Sequence, residues 1–259
     1  MNFITFAKWL ESAPQWIVSL PEWCSKFIYQ LYQTFVIEDR WKLFLGGLEM
    51  TFIVTIGALI LGVIIGMLVA IIRSSHDLSR GKPNIILRIL NKICKIYITV
   101  LRGTPLMVQL LIMGFVIMVP KTNLETVFCG ILTLGINSGA YVAEIARSGI
   151  MSIPAGQMEA GRSLGLNYVQ TMISIILPQA FKNILPALGN ELIALLKETS
   201  LVTTIALTDV TKAAQVVTSR TYDAFVPYIS LAVIYLVLVM ALTKLLGVLE
   251  RRLRAGDQH

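Results

Sequence analysis

Long apolar runs alternate along this chain with short polar and basic segments. Residues 50–72 are 23 consecutive positions without a charged side chain, and residues 224–243 are another 20. Either run can cross a bilayer as a helix, because an α-helix rises about 1.5 Å per residue and the hydrocarbon core is about 30 Å thick. The apolar positions are continuous rather than alternating, which favours spanning helices over a transmembrane β-barrel.

The same pattern predicts three further spans between those two. They lie at about residues 96–120, at residues 126–143 and at about residues 182–202. We expect Gly103-Thr-Pro105 to kink the first of these, because proline removes a backbone donor and clashes with the preceding turn. Residues 163–181 also lack charge, but polar side chains are frequent there, so residues 166–178 are predicted to be a packed connector. The predicted fold is an all-α polytopic membrane protein with five transmembrane helices.

Basic residues set the predicted orientation. The loop after the first span is the densest in positive charge, and we place it in the cytoplasm; it carries Arg73, Arg80, Lys82, Arg88, Lys92 and Lys95. Residues 203–223 are polar and are predicted to form an outer loop, and residues 250–254 are predicted to belong to a basic inner tail. Five crossings then leave the N-terminus outside and the C-terminus inside.

Residues 1–45 do not resemble a signal peptide. Ser12-Ala-Pro-Gln-Trp16 is repeated as Ser19-Leu-Pro-Glu-Trp23, and serine followed by proline is a helix-start signal. Trp9 lies seven residues before Trp16, so all three tryptophans share a face if the segment is one helix. Tryptophan favours the bilayer interface, which predicts an amphipathic helix lying on membrane lipid. The alternative is a poorly ordered tail.

Composition supports the membrane class. The 259 residues are 56% hydrophobic and only 14% charged, whereas soluble domains carry about a quarter charged residues. The net charge of +7 is typical of basic cytoplasmic loops, so nucleic acid is not expected as a partner. Three scattered cysteines and two histidines lack the spacing of a metal site.

One polar stretch interrupts the apolar pattern. A helix that opens after Pro154, carries Glu159 and Arg162, and stops near Gly165 is too short and too polar to cross a bilayer. It is therefore expected on the water side, against a partner. The segment reads Glu159-Ala160-Gly161, three residues, Gly165, nine residues, and then Ile175-Ile-Leu-Pro178. This order resembles the Glu-Ala-Ala signature of ABC-importer permeases, with Gly161 in place of the second alanine.

Other motifs over residues 46–248 are similar to the polar amino acid uptake subfamily. They are Arg102-Gly-Thr-Pro-Leu106, Asn137-Ser-Gly-Ala-Tyr-Val-Ala-Glu144, Arg147-Ser-Gly-Ile150, Ile153-Pro-Ala-Gly-Gln157 and Lys197-Glu-Thr-Ser-Leu201. The resemblance implies a type I ABC importer permease fold and the permease subunit of an ATP-driven amino acid importer in a bacterial cytoplasmic (inner) membrane. It implies a transmembrane domain 46–250 with a coupling helix at about 154–165. Residues 1–45 fall outside the resemblance and are predicted to form an external or interfacial amphipathic segment, and residues 251–259 are predicted to form a cytoplasmic tail.

The resemblance also implies partners and an attachment site. In that family the signature helix docks in a groove of a cytoplasmic ABC ATPase dimer, and a second permease subunit and an external solute-binding protein complete the importer. The ATPase-coupling residues that match are Pro154, Gly156, Glu159, Ala160, Gly161, Arg162 and Gly165. The chain lacks a phosphate-cradling G-x-x-x-x-G-K-[ST] loop, so we expect ATP and Mg in the partner, no cofactor here and no enzyme activity. The alternative is a solvated loop helix that matches by chance.

Polar residues at membrane depth are the substrate candidates, because they are costly there and usually face a cavity or a partner. On the third span Asn137, Tyr141 and Glu144 share one helical face. On the fourth, Asn190 and Lys197 share a face, and Glu191 and Glu198 share the neighbouring one. A zwitterion needs carboxylates and a cation, which this set supplies, and its acidic pairing favours a cationic or amide side chain. Alternatively these groups pair with each other, and Arg102 is interpreted as an anchor.

Two rival functions have weaker support. An ion-gradient-driven secondary transporter of amino acids would show inverted repeats and a complete path in one chain. A membrane enzyme would need a nucleophile–base pair or a metal constellation. The sequence shows neither pattern.

Overall fold

The computed structural model describes residues 3–79 and 83–255, and these ranges contain helices and no strand. The α-helices are α1 Phe3–Ser12, α2 Gln15–Val18, α3 Glu22–Phe35, α4 Trp41–Asp77, α5 Ile85–Gly103, α6 Leu106–Ile112, α7 Asn123–Met151, α8 Ala155–Ser163, α9 Tyr168–Thr171, α10 Leu177–Glu198, α11 Val210–Thr221 and α12 Phe225–Ala255. The predicted all-α class is confirmed.

Four helical stretches of the described chain are long and apolar enough to cross a membrane. They are Ile37–Asp77, Asn123–Met151, Tyr168–Ile205 and Phe225–Arg252. A fifth exists if α5 and the bent segment after it form one span. A multi-span helical membrane protein is therefore confirmed, whereas the count of five and the N-out, C-in orientation remain predictions.

The predicted kink at Gly103-Thr-Pro105 is confirmed as a break. The axes of Ile85–Gly103 and Leu106–Ile117 differ by 104°. Thr104 has an extended backbone and Pro105 precedes α6, so the helix cannot continue through this point. The carbonyl of Leu101, freed by the break, accepts a hydrogen bond of 2.9 Å from Gln109 Nε2.

Helices α4 and α7 form the centre of the bundle and cross closely through glycines. A Cβ added at Gly62 would lie 2.9 Å from Ser138 Oγ, and one at Gly66 would lie 2.5 Å from Val142. Backbones can approach this closely only where side chains are absent. These glycines therefore serve close helix packing, and the α4–α7 contact is called the glycine seam below.

Two predicted boundaries are wrong because the helices run further than the apolar runs do. Most of the supposed basic loop is helical: Arg73 belongs to α4, and Arg88, Lys92 and Lys95 belong to α5. Arg80 and Lys82 lie outside the described residues. The helical stretch that contains the fourth candidate span begins at Tyr168 rather than near Lys182, because residues 168–205 are continuously helical. The prediction that residues 166–178 are not a separate sixth span agrees with this continuity. Most of these residues are the first turns of the helical stretch 168–205 rather than a connector before it.

The predicted outer loop 203–223 is also wrong, since much of it is α11. The Asp209 carboxylate caps this helix by accepting hydrogen bonds from the backbone N–H groups of Thr211 and Lys212. Asp209 is fully buried, and burial raises its pKa although those hydrogen bonds oppose the shift. Val210 and Val217 are also buried, so polar composition here marks an amphipathic packed helix rather than a solvated loop.

The N-terminal segment is helical but is not one helix. It breaks at Pro14 and Pro21, so the three tryptophans lie on different helices and do not share a face. Trp9 packs on Tyr29 with ring centroids 5.0 Å apart. Trp16 and Trp23 are exposed by 63% and 74%. The repeated serines end α1 and α2 rather than start new helices, because their hydroxyls bond to carbonyls three residues earlier.

Candidate functional site

The signature helix α8 is short, lies almost wholly at the surface and has a defined end. Pro154 precedes it, and Gly165 follows it at φ +86°, a left-handed conformation that glycine adopts without steric cost. The Gly165 N–H bonds to the Arg162 carbonyl at 3.0 Å, and the Leu166 N–H bonds to the Gly161 carbonyl at 3.2 Å. This pair of bonds is a Schellman motif, which stops the helix sharply and satisfies its last carbonyls.

The predicted coupling residues divide by the face they occupy. Gly161 is buried against the chain itself: a Cβ there would lie 2.5 Å from Thr171 Cγ2. Six of the seven are exposed, namely Pro154, Gly156, Glu159, Ala160, Arg162 and Gly165. Leu164, which sequence reasoning missed, is 80% exposed beside them. An apolar side chain at the end of a polar surface helix is the signal that could have identified it.

A cluster of charges joins α4 to α7 on the same side of the bundle as α8. Glu144 accepts a hydrogen bond from Arg73 and another, at 3.3 Å, from Arg147 Nη2. Arg147 also reaches Asp77 at 3.3 Å. Glu144 is therefore paired within the chain, as the bundle-packing alternative expects. Arg73 was assigned to a loop, and this partnership could not be read from the sequence.

A cavity of about 590 Å³ opens between α5, α7 and α10. Its polar lining comprises Arg102, Glu144, Arg147, Ser148, Ser152 and Asn183. Arg102 places its guanidinium 5.0 Å from the Tyr141 ring centroid, a cation–π arrangement. The structure thus places Glu144 in this cleft and Tyr141 against the Arg102 guanidinium that lines it. Sequence reasoning interpreted Arg102 as an anchor.

Asn137 supports the break between α5 and α6. Its Nδ2 donates to Gln109 Oε1 at 2.9 Å and to the Leu101 carbonyl at 3.2 Å. Gln109 also donates to Thr104 Oγ1 at 2.8 Å. The amides of Asn137 and Gln109 therefore satisfy backbone groups left free by the bend. Gln109 was missed, although a glutamine inside an apolar run is a recognisable signal.

The fourth-span candidates do not line that cavity. The Glu191 carboxylate accepts a hydrogen bond of 2.6 Å from Ser138 Oγ, which joins α10 to α7. Glu198 is half-buried on the same face of α10, two helical turns further along. Asn190 and Lys197 are exposed. Within residues 3–79 and 83–255, no three His, Cys, Asp or Glu side chains are grouped as metal ligands.

Comparison with known proteins gives consistent matches. The family model described as "Binding-protein-dependent transport system inner membrane component" matches residues 62–255. The arginine transport system permease protein ArtQ of Bacillus subtilis (strain 168) is 39% identical over 207 residues, which are 79% of this chain and 91% of ArtQ. The L-cystine transport system permease protein TcyB of the same organism is 35% identical over 84% of this chain and 89% of TcyB.

A solved structure gives the same result in three dimensions. The crystal structure of an amino acid ABC transporter with histidines contains a chain that is 43% identical to this one. The superposition has a TM-score of 0.72 and covers 82% of this chain and 94% of that chain. Residues 1–45 lie wholly outside the matched family region, which begins at residue 62.

Proposed function

Because this chain belongs to the family of binding-protein-dependent transport system inner membrane components, we propose that it is the permease subunit of an ATP-driven amino acid importer. It carries a polar L-amino acid across a bacterial cytoplasmic membrane. Its partners are a cytoplasmic ABC ATPase dimer, a second permease subunit and an external solute-binding protein. ATP and Mg are bound by the ATPase, and this chain catalyses no covalent chemistry.

The observation that carries the proposal is the geometry of α8. A helix of nine residues, exposed on most sides, stands at the turn between two spans and is ended by a Schellman motif. Leu164 presents an apolar contact and Glu159 presents charge, which together suit a groove on a partner protein. Gly161 ties the helix to residues 171–175, so a push on α8 is transmitted to the long helical stretch that ends at Ile205.

The 590 Å³ cavity is the proposed cytoplasmic part of the substrate path. Arg102 offers a guanidinium that fits the α-carboxylate of an amino acid, and it is held in place by Tyr141. Glu191 and Glu198, both on α10, offer carboxyl oxygens that can accept hydrogen bonds from an ammonium or cationic group. This arrangement supports a substrate with a cationic or amide side chain.

The N-terminal segment is proposed to lie on the external face of the cytoplasmic membrane. The exposed rings of Trp16 and Trp23 suit the bilayer interface, where indole is favoured. Segments 1–45, 46–250 and 251–259 then correspond to an interfacial extension, the transmembrane domain and a cytoplasmic tail.

Co-purification and uptake test the proposal. We expect Glu159→Lys and Gly165→Asp to abolish co-purification of the ATPase and to lower ATP-coupled amino acid uptake at least about tenfold. Glu11→Lys makes the same charge change as Glu159→Lys at an exposed position of α1 and serves as the control. Unchanged association in both α8 variants would refute the docking role.

An ion-gradient-driven secondary transporter is the rival to exclude. Uptake that continues in vesicles depleted of ATP and stops when the ion gradient is collapsed would establish it. Loss of uptake on ATP depletion, with the ion gradient maintained, is the result that the importer proposal requires.

A further inference from the structure

Two neighbouring cavities open beside α8, and neither belongs to the proposed substrate path. The first, of about 360 Å³, is lined mainly by apolar side chains, among them Ile71 and Ile173. The second, of about 330 Å³, lies where α4 ends, α5 begins and α8 passes, and it contains Arg162. Ser75 and Tyr168 line both cavities, so an apolar compartment adjoins a polar one. Each volume falls in the range of small-molecule sites.

Hydrogen-bonding capacity is left unused at this junction. The hydroxyls of Ser74 and Tyr168 are buried and have no hydrogen-bond partner among the described residues. Ser75 lies next to the Tyr168 hydroxyl, but no hydrogen bond of normal geometry joins them. Buried hydroxyls are costly when unpaired, so the Tyr168 hydroxyl, which lines both cavities, indicates an oxygen-rich ligand.

The two compartments lie at different depths. Ile71 belongs to the charge-free run 50–72, whereas Ser75 is four residues further along α4, about 6 Å by helical rise. The headgroup layer on each side of a bilayer is about 5–8 Å thick. The apolar cavity therefore opens at the edge of the hydrocarbon, and the polar one opens at headgroup level. Val169 and Ile173, 59% and 60% exposed, complete an apolar surface facing lipid.

We propose that these cavities form one binding site for a phospholipid of the cytoplasmic leaflet. An acyl chain lies along Ile71 and Ile173, and the phosphate contacts the Arg162 guanidinium, whose planar donors match phosphate oxygens. The Ser75 and Tyr168 hydroxyls donate to the same phosphate. Since α4 and α8 both contribute, the lipid joins the first span to the helix proposed to dock on the ATPase. Only the choice of leaflet and this coupling role rest on the proposed function.

Native mass spectrometry of the full chain, co-purified with its ATPase and supplied with phosphatidylglycerol, tests the site. We expect one phosphatidylglycerol to be retained by the wild type. Arg162→Gln should lower retention at least about tenfold, because a charge-assisted contact is lost. Ile173→Trp should also lower retention, because the indole fills the apolar compartment. Arg251→Gln, an exposed arginine on α12 away from both cavities, is the matched control and should retain the lipid.

Three results would overturn the lipid site. One is equal retention in the Arg162→Gln and Arg251→Gln proteins. Another is displacement of phosphatidylglycerol by inorganic phosphate, which would reduce the site to an anion pocket. The third is loss of the lipid whenever the ATPase is bound, which would mean that the partner fills the cavities. Expressing the permease together with its ATPase separates the two proposals: a permease that retains phosphatidylglycerol although no ATPase co-purifies with it refutes only the docking role.

Discussion

Gly161 has no room for a side chain, and this makes it the sharpest test of how α8 is attached. An added Cβ would lie 2.5 Å from Thr171 Cγ2 and 3.0 Å from Ile175 Cδ1. Carbon atoms in normal contact are about 3.5–4.0 Å apart, so Gly161→Ala requires a displacement of about 1 Å or more. Thr171 cannot turn away freely, since it is fully buried and its hydroxyl donates to the Asn167 carbonyl at 3.0 Å.

The displacement should loosen α8. Overpacking of this kind costs about 1–3 kcal/mol, which corresponds to about 5- to 150-fold faster local opening. We expect hydrogen exchange of the α8 amides to accelerate by that factor in Gly161→Ala and amino acid uptake per ATP hydrolysed to fall. The double variant Gly161→Ala with Thr171→Ser should recover much of the protection, because serine lacks the methyl group that clashes.

Gly156 provides the control on the same helix. A Cβ there meets nothing within 4 Å, and alanine is a better helix former than glycine by up to about 1 kcal/mol. Gly156→Ala should therefore leave exchange unchanged or slower. Identical exchange in the Gly161→Ala and Gly156→Ala proteins would refute the reasoning, and so would a double variant as disturbed as Gly161→Ala alone.

Three further predictions follow from named contacts. Gly165→Val should destabilise the end of α8 by about 1–2 kcal/mol, seen as faster amide exchange there, whereas Gly165→Asn should be milder because asparagine tolerates positive φ. Gln109→Leu should lower the thermal unfolding temperature, because the Leu101 carbonyl and the Asn137 amide each lose a hydrogen-bond partner, at a cost of about 1–3 kcal/mol in stability. The double variant Gln109→Leu with Asn137→Leu should lose less stability than the two single variants added together, because both residues belong to one network. Burial raises the pKa of Asp209, so the folded chain keeps the carboxyl proton to a higher pH than the unfolded chain does. The free energy of unfolding should therefore fall as pH rises from the ordinary pKa of 3.8 to the raised value. Asp209→Asn should remove this part of the pH dependence, measured by unfolding at a series of pH values.

Hydrophobic pattern predicted the spans well because burial in lipid demands long apolar runs whatever the neighbours are. It failed where one helix face is polar. On α5 the basic residues Arg88 and Lys92 are exposed, while Cys94 and Ile98 are buried. The density of positive charge therefore predicted a loop where the chain forms an amphipathic helix. The α11 segment was missed for the same reason.

The sequence predicted only those features of the candidate site that depend on spacing within a single helix. Spacing correctly placed Tyr141 and Glu144 on a common face, and both lie at the cavity or beside its arginine. Their partners come from distant segments: Arg73 is 71 residues from Glu144. Such pairs depend on how helices cross, which a single sequence does not encode in any local pattern.

The glycine seam has a consequence for how an importer of this kind can change shape. Gly62 and Gly66 let α4 pack directly against α7. If one helix slid along the other, larger side chains would take the place of the glycines and would clash with the facing helix. These two helices should therefore move as a single rigid body, further tied at one end by Arg73 and Glu144. Rearrangement between inward- and outward-facing forms must then occur at other contacts, and a covalent cross-link across the seam should leave uptake intact.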